Sequence, residues 1–409
     1  MNRAYIIALA YCLLVWLGCD SNGTVDSSSD PIRLTPLPIG DISNHVLATY
    51  ARDRGFLGGI ALIDPISQKA RKSLTAGAGI FMAVDQNGAK AVTPFFRDFS
   101  LAFHQFEDGS AGFFVVSRDS LLSEIENWPT DLGAPTEIDG SPKLYGDQMT
   151  WSVFLPEESS PFVINGIRIG MTMYIFEDEP LSNFVFHRYD ISNQSELTLA
   201  DLHVGYFADI DVNSFGNWLG DGCSSLDHWD NQSGYDHERD IAFTYISHFP
   251  EDGDLDEQCY GDVYAFALLP MLGNAAIGSQ KLASRIVRRT GGNTTLYPEF
   301  SDNLFSTPDA ILTALQGLSA LGNSMIDPTT NAATKFAFTG DPITQTGWLD
   351  ERHDVRNLVS LQPVSLDPGE TVSMTVVWFF AEGKSLAEGL AEVKSQYDQV
   401  LTTRTAWDF

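Results

Sequence analysis

Positive charge is scarce in this chain. Its 24 Lys and Arg stand against 54 Asp and Glu over 409 residues, for a formal net charge of -30. That balance excludes nucleic acid and anionic membrane surfaces as partners, because both would repel the protein. Long apolar runs are scarce too. The one present, Ala4 to Gly18, is too short for a comfortable membrane span. Enzyme fingerprints are missing: there is no Gly-x-Ser-x-Gly elbow, no P-loop, no dinucleotide-binding glycine motif and no His-Glu-x-x-His. A binding or structural role is therefore expected ahead of catalysis. Hydrophobic residues make up 44% and aromatics 11%, which is ample for a large core and excludes wholesale disorder.

Cysteine is the scarcest informative residue, at four copies, and the four sort themselves by position. Cys12 sits inside the apolar run that follows Arg3, which reads as the h-region of a signal peptide over residues 1–18. Gly18-Cys19 then looks like a bacterial lipobox, so cleavage would leave Cys19 as a lipid-modified N-terminus. An ordinary cleaved signal peptide is the alternative. Residues 19–38 are rich in Ser, Asp, Gly and Pro and read as a flexible tether. Export to the outer membrane or cell surface, lipid-anchored through Cys19, is the expected location. An exported chain is permitted a disulfide, and Cys223 with Cys259 is the remaining pair. In the chain-entropy account that bridge would stabilise the fold by about 4 kcal/mol. Two free buried thiols are the other reading.

Taken in order, the body alternates short apolar runs with turns. Region 39–190 is strand-and-turn sequence, with a hairpin signal at Asn87-Gly88. Within it Ile167, Ile169, Met171, Met173 and Ile175 repeat with period two, which places them on one face of a strand. Region 191–303 continues with strands around an acidic stretch. Region 304–409 carries a helix from Thr307-Pro308-Asp309 through Leu321, further strands, and a closing helix over 387–403 with Leu390, Val393, Tyr397, Val400 and Leu401 on its core stripe. The expected fold is mainly β: a large β-sandwich, either single or as two packed halves, with a few helices including a C-terminal one.

The acidic stretch is residues 201–262. It holds fifteen Asp or Glu and one basic residue, Arg239, and so supplies -14 of the -30. Carboxylates packed this densely repel one another unless a cation sits among them, and a hard divalent ion with oxygen ligands is the simplest answer. Calcium is the expected cofactor, with Asp209, Asp211, Asn213, Asp221, Asp227 and Asp230 as ligands and Asn231 and Asp236 able to complete the set. The opening Asp-x-Asp-x-Asn is similar to an EF-hand loop, but Ser214 and Gly220 stand where that loop needs Gly and Glu. A different calcium loop is expected. The alternative is that these side chains cap turns. His228 and His237 match no zinc spacing.

Several pieces then appear in a fixed order: 128–135 (Trp-Pro-Thr-Asp-Leu-Gly-Ala-Pro), 146–151 (Gly-Asp-Gln-Met-Thr-Trp), 208–211, 220–223, 340–350 and 368–371. In this combination the chain resembles the uncharacterised exported and surface proteins of Bacteroidota-type bacteria, which often carry immunoglobulin-like repeats or a type IX secretion sorting domain. The resemblance implies a cell-envelope protein and supplies no activity. Phe409 follows directly on the closing helix, so no sorting domain is expected, and a lipid on Cys19 would provide the attachment. The leading expectation is a structural or adhesive envelope protein with a calcium-stabilised acidic loop. The alternative is a lipoprotein that binds or hydrolyses surface glycan, with Trp218, Trp229 and Tyr235 as candidate stacking rings. Surface glycan and another envelope protein are the expected partners.

Overall fold

The computed structural model describes residues 33–34, 36–37, 39–44, 47–52, 56–63, 70–73, 77–86, 89–93, 101–103, 111–122, 125–156, 163–210, 231–246, 263–271, 281–288, 307–318, 322–351, 355–383 and 385–407. The first sheet is built from β1 (Gly40–Ser43), β2 (Leu47–Arg52), β3 (Phe56–Ile63), β4 (Ala70–Ser73), β5 (Gly77–Gln86), β6 (Ala89–Thr93), β12 (Leu199–Asp209), β16 (Lys281–Arg288), β19 (Val355–Leu361) and β20 (Val364–Leu366). The second is built from β7 (Leu101–Phe103), β8 (Phe114–Ser117), β9 (Gln148–Pro156), β10 (Ile167–Ile175), β11 (Phe184–Asn193), β13 (Asn231–Asp236), β14 (Ile241–Ile246), β15 (Val263–Met271) and β21 (Thr371–Glu382). A short ribbon, β17 (Met325–Ile326) with β18 (Ala333–Thr334), stands apart. The central order is β1-β2-β3-β5-β12-β19-β16 in one sheet and β13-β14-β15-β21-β11-β10-β9-β7 in the other. Both sheets interleave strands from early and late in the chain.

The two sheets pack face to face. Ile80, Met82 and Val84 of β5 and Val204 and Tyr206 of β12 meet Met171, Met173, Val185, Tyr189, Val376 and Trp378 from the opposite sheet in one buried core. Strand β10 shows how period two produces this. Its five odd-numbered apolar residues all join the inter-sheet core, as the alternation requires, while Tyr174 turns to the outer face. Strands β5 and β6 pair with Gln86 opposite Ala89; Asn87-Gly88 lies outside the described residues. The β-sandwich fold is thus the one the sequence called for.

Each sheet also buries its outer face. Helix α1 (Pro308–Leu315) lays Ile311, Leu312 and Leu315 on Phe81, Phe207 and Leu358 of the first sheet. Thr307 caps it, its side chain accepting from Ala310 N, with proline in the first turn. The helix stops well short of the expected Leu321. Gly317 adopts φ +75°, a left-handed position that ends helices, and Leu318 instead bridges to Ser324. Helix α2 (Leu386–Thr402) begins at the Ser385 cap and presses Leu390, Val393 and Val400 onto the second sheet, where Trp407 joins them. Leu401 falls off that stripe and is exposed.

Candidate functional site

Strand β12 carries the chain to the acidic stretch. Its last residue, Asp209, pairs across the ladder with Gly77 on one side and Arg356 on the other, and Ile210 beyond it is buried. Asp211, Asn213, Asp221, Asp227, Asp230, Trp218, Trp229, His228, Cys223 and Cys259 lie outside the described residues, as does Cys19. The chain is described again from Asn231. Asp236 takes the turn-capping role there: its Oδ1 accepts from Glu238 N at 2.9 Å and Arg239 N at 3.2 Å. Tyr235 is a packing residue, 2% exposed against Phe336. Among the described residues no group of three or more His, Cys, Asp or Glu is placed to hold a metal.

A different constellation stands out on the outer face of the second sheet. That face is apolar almost everywhere, yet one ladder row crossing four strands is polar. Trp151 on β9 lies opposite Thr172 on β10, Thr172 opposite Arg188 on β11, and Arg188 opposite Thr375 on β21. The next row holds Gly170, Asp190 and Ser373. Residues two apart on a strand share a face, so Arg188 and Asp190 are neighbours by construction. Arg188 Nη2 lies 3.0 Å from Asp190 Oδ1 and donates to Ser373 Oγ at 2.9 Å, and Ser373 donates in turn to Asp190. Burial works against the Arg188 charge, but the Asp190 carboxylate outweighs it and the guanidinium pKa is raised.

Three groups beside this pair are unsatisfied. Trp151 Nε1, Thr172 Oγ1 and Thr375 Oγ1 belong to side chains that are 0% exposed, and none has a hydrogen-bond partner among the described residues. Each such group costs roughly 1–3 kcal/mol, and three in one row is more than packing alone explains. Tyr145 closes the group: the Arg188 guanidinium carbon is 5.7 Å and Lys143 Nζ is 5.3 Å from its ring centroid. Gly170 lies against the indole; a Cβ there would stand 3.6 Å from Trp151 Nε1, in ordinary contact. Hydroxyls that both donate and accept, an indole donor, a fixed guanidinium and an aromatic face suit a polyhydroxylated ring. The row as described holds one carboxylate, Asp190, already engaged by Arg188 and Ser373. The chemistry it offers is recognition, not paired acid–base hydrolysis.

Sequence reasoning missed this row because its members are far apart in the chain. Two of the pieces that carried the family resemblance, 128–135 and 368–371, are local scaffolding of the second sheet, while 220–223 lies outside the described residues. Trp128 stacks within 6.0 Å of Trp151 and donates from Nε1 to Pro135 O at 2.8 Å. Residues 368–371 form a turn whose Gly369 N donates to Asn193 O at 2.7 Å, fixing the end of β11.

No family model matches the chain, and no curated protein matches it. Among solved structures it is similar to a putative aldose 1-epimerase from Escherichia coli K12, with a TM-score of 0.35 and 8% identity over 84% of this chain and 99% of that one. It is also similar to a polysaccharide lyase, with a TM-score of 0.32 and 10% identity over 88% of this chain, which spans 34% of that protein's length.

Proposed function

We propose that this protein is a glycan-adhesive lipoprotein of the bacterial cell envelope that binds sugar on the outer face of its second sheet. The observation that carries the reading is the row of three buried, unpartnered polar groups, Trp151, Thr172 and Thr375, beside the Arg188–Asp190 pair. A sugar presenting vicinal hydroxyls meets Arg188 and Asp190, whose side chains are 12% and 20% exposed, and supplies what the three buried groups lack only when the side chains covering them move aside. Attachment through a lipid on Cys19 would hold that face at the cell surface. Calcium among Asp209, Asp211, Asn213, Asp221, Asp227 and Asp230, with a Cys223–Cys259 bridge, would stiffen the acidic stretch that follows β12.

The test is a glycan array followed by calorimetry on the hits, run on the wild type and on a Thr172→Val, Thr375→Val double variant. Binding by the wild type and its loss in a folded double variant supports the reading. A blank array, or a double variant that binds as the wild type does, overturns it.

A further inference from the structure

A concavity lies at the β13 edge of the same sheet and shares no residue with the polar row. It has a volume of about 300 Å³ and opens between the β13–β14 turn, the loop at 339–343 and helix α2. That size is at the small end of ligand pockets and suits a single ring. Tyr235, Phe243 and Leu390 line it and are nearly fully buried, so its floor is apolar and largely aromatic. Asp236, Glu238, Asp341 and Lys394 provide its charges, two more negative than positive.

Asp236 is the informative wall residue. Its Oδ1 is used up in the turn, but Oδ2 is buried and has no hydrogen-bond donor. The nearest cations, Arg239 Nη1 at 3.6 Å and Lys394 Nζ at 3.7 Å, stand too far away to donate to it. On the facing loop, backbone Ile343 N and then the Thr344 hydroxyl hold the Asp341 carboxyl below the usual carboxylate range, with a smaller contribution from Lys394. Lys394 therefore sits within the field of carboxylates from both walls. It is 46% exposed and reaches in from the surface of α2.

We propose that this cleft binds a primary ammonium group carried on a sugar-sized ring, that is, a hexosamine, with Asp236 Oδ2 as its acceptor. The tethered ammonium of Lys394 occupies the neighbourhood a ligand cation would take. The aromatic floor accepts the ring face, and the surplus negative charge favours a cation over a neutral or acidic sugar.

The experiment is calorimetric titration of the full-length protein with glucosamine, N-acetylglucosamine and lysine amide at about pH 6, where a primary amine is charged. Glucosamine is expected to bind and N-acetylglucosamine is not. Asp236→Asn is expected to weaken glucosamine by about tenfold or more, as loss of a charged hydrogen bond should. Lys394→Met removes the competing cation and is expected to tighten it. Absence of glucosamine binding, equal binding of the acetylated sugar, or equal binding of lysine amide overturns the proposal. So does a folded Asp236→Asn variant with wild-type affinity. Should that variant fail to fold, Lys394→Met decides: unchanged or weaker binding overturns the assignment. Thr172→Val leaves this binding intact, so failure here is separable from failure at the polar row.

Discussion

The Tyr206 hydroxyl, on one sheet, lies 3.0 Å from His187 Nδ1 on the other. Trp378 Nε1 donates to the same hydroxyl at 3.2 Å, and the Tyr189 hydroxyl is 3.2 Å from the same ring nitrogen. Both hydroxyls lie within hydrogen-bond distance of Nδ1, while Nε2 is buried with no partner among the described residues; the tautomer sets which atom donates at Nδ1. This small polar knot ties the two sheets together in the middle of an otherwise apolar core.

Removing the knot's shared hydroxyl should be costly. Tyr206→Phe removes the hydroxyl that accepts from Trp378 Nε1 and one of the two hydroxyls beside His187 Nδ1, and a loss of about 1–3 kcal/mol is expected. Urea denaturation midpoints check this. A change under about 0.5 kcal/mol would show the hydrogen bonds to be incidental.

His187 also makes stability depend on pH. Burial lowers its pKa from 6.5 to about 3. The unfolded chain then binds a proton that the folded one refuses, so this contribution is complete above about pH 6.5 and erodes as pH falls toward 3. Between about pH 6.5 and pH 5 the expected loss is roughly 2 kcal/mol. A His187→Gln variant should lose most of that slope. Parallel pH profiles for variant and wild type would sink the idea.

The polar row sets stability against binding. Thr172→Val and Thr375→Val each delete a buried hydroxyl that has no partner in the fold, while keeping its shape. Each is expected to leave melting unchanged or raise it, equivalent to about 1 kcal/mol, while sugar binding falls. A clear drop in melting for either would mean the hydroxyl is already satisfied.

The acidic stretch has its own test. If calcium holds it, a chelator should lower the melting temperature and calcium should restore it, with metal found by elemental analysis. Asp209→Asn with Asp211→Asn should abolish the response. Cys259→Ser is expected to cost about 4 kcal/mol in the chain-entropy account. No response to chelator and no bound metal would retire the calcium reading.

What the residues reveal unaided is periodic. The alternation in β10 and the stripe of α2 need only local spacing; the first lands as that spacing requires, and the second does so except at Leu401, which is exposed. The length of α1 is misread because Gly317 had no obvious claim over Gly322 to end the helix. The polar row escapes for a stronger reason. Arg188 and Ser373 are 185 residues apart and meet only through strand pairing, which no window along the chain can see. Lys394 beside Asp236 is the same case. The charge of the stretch 201–262 pointed to an external cation, yet a cation from the distant helix stands beside one of its carboxylates. Those of Asp211, Asp221, Asp227 and Asp230 lie outside the described residues.

The interleaved topology bears on how the chain completes its fold, and on its export if it is exported. Strand β12 has β5 and β11 has β10 from earlier in the chain, but each waits for its second neighbour, β19 and β21; Trp407 then seats against Phe186 over the finished sheet. Pairings this distant are slow to form, because long loops must close first. A polypeptide emerging head first through a narrow pore would therefore remain loose and threadable for most of its passage. It would lock only once its tail arrives.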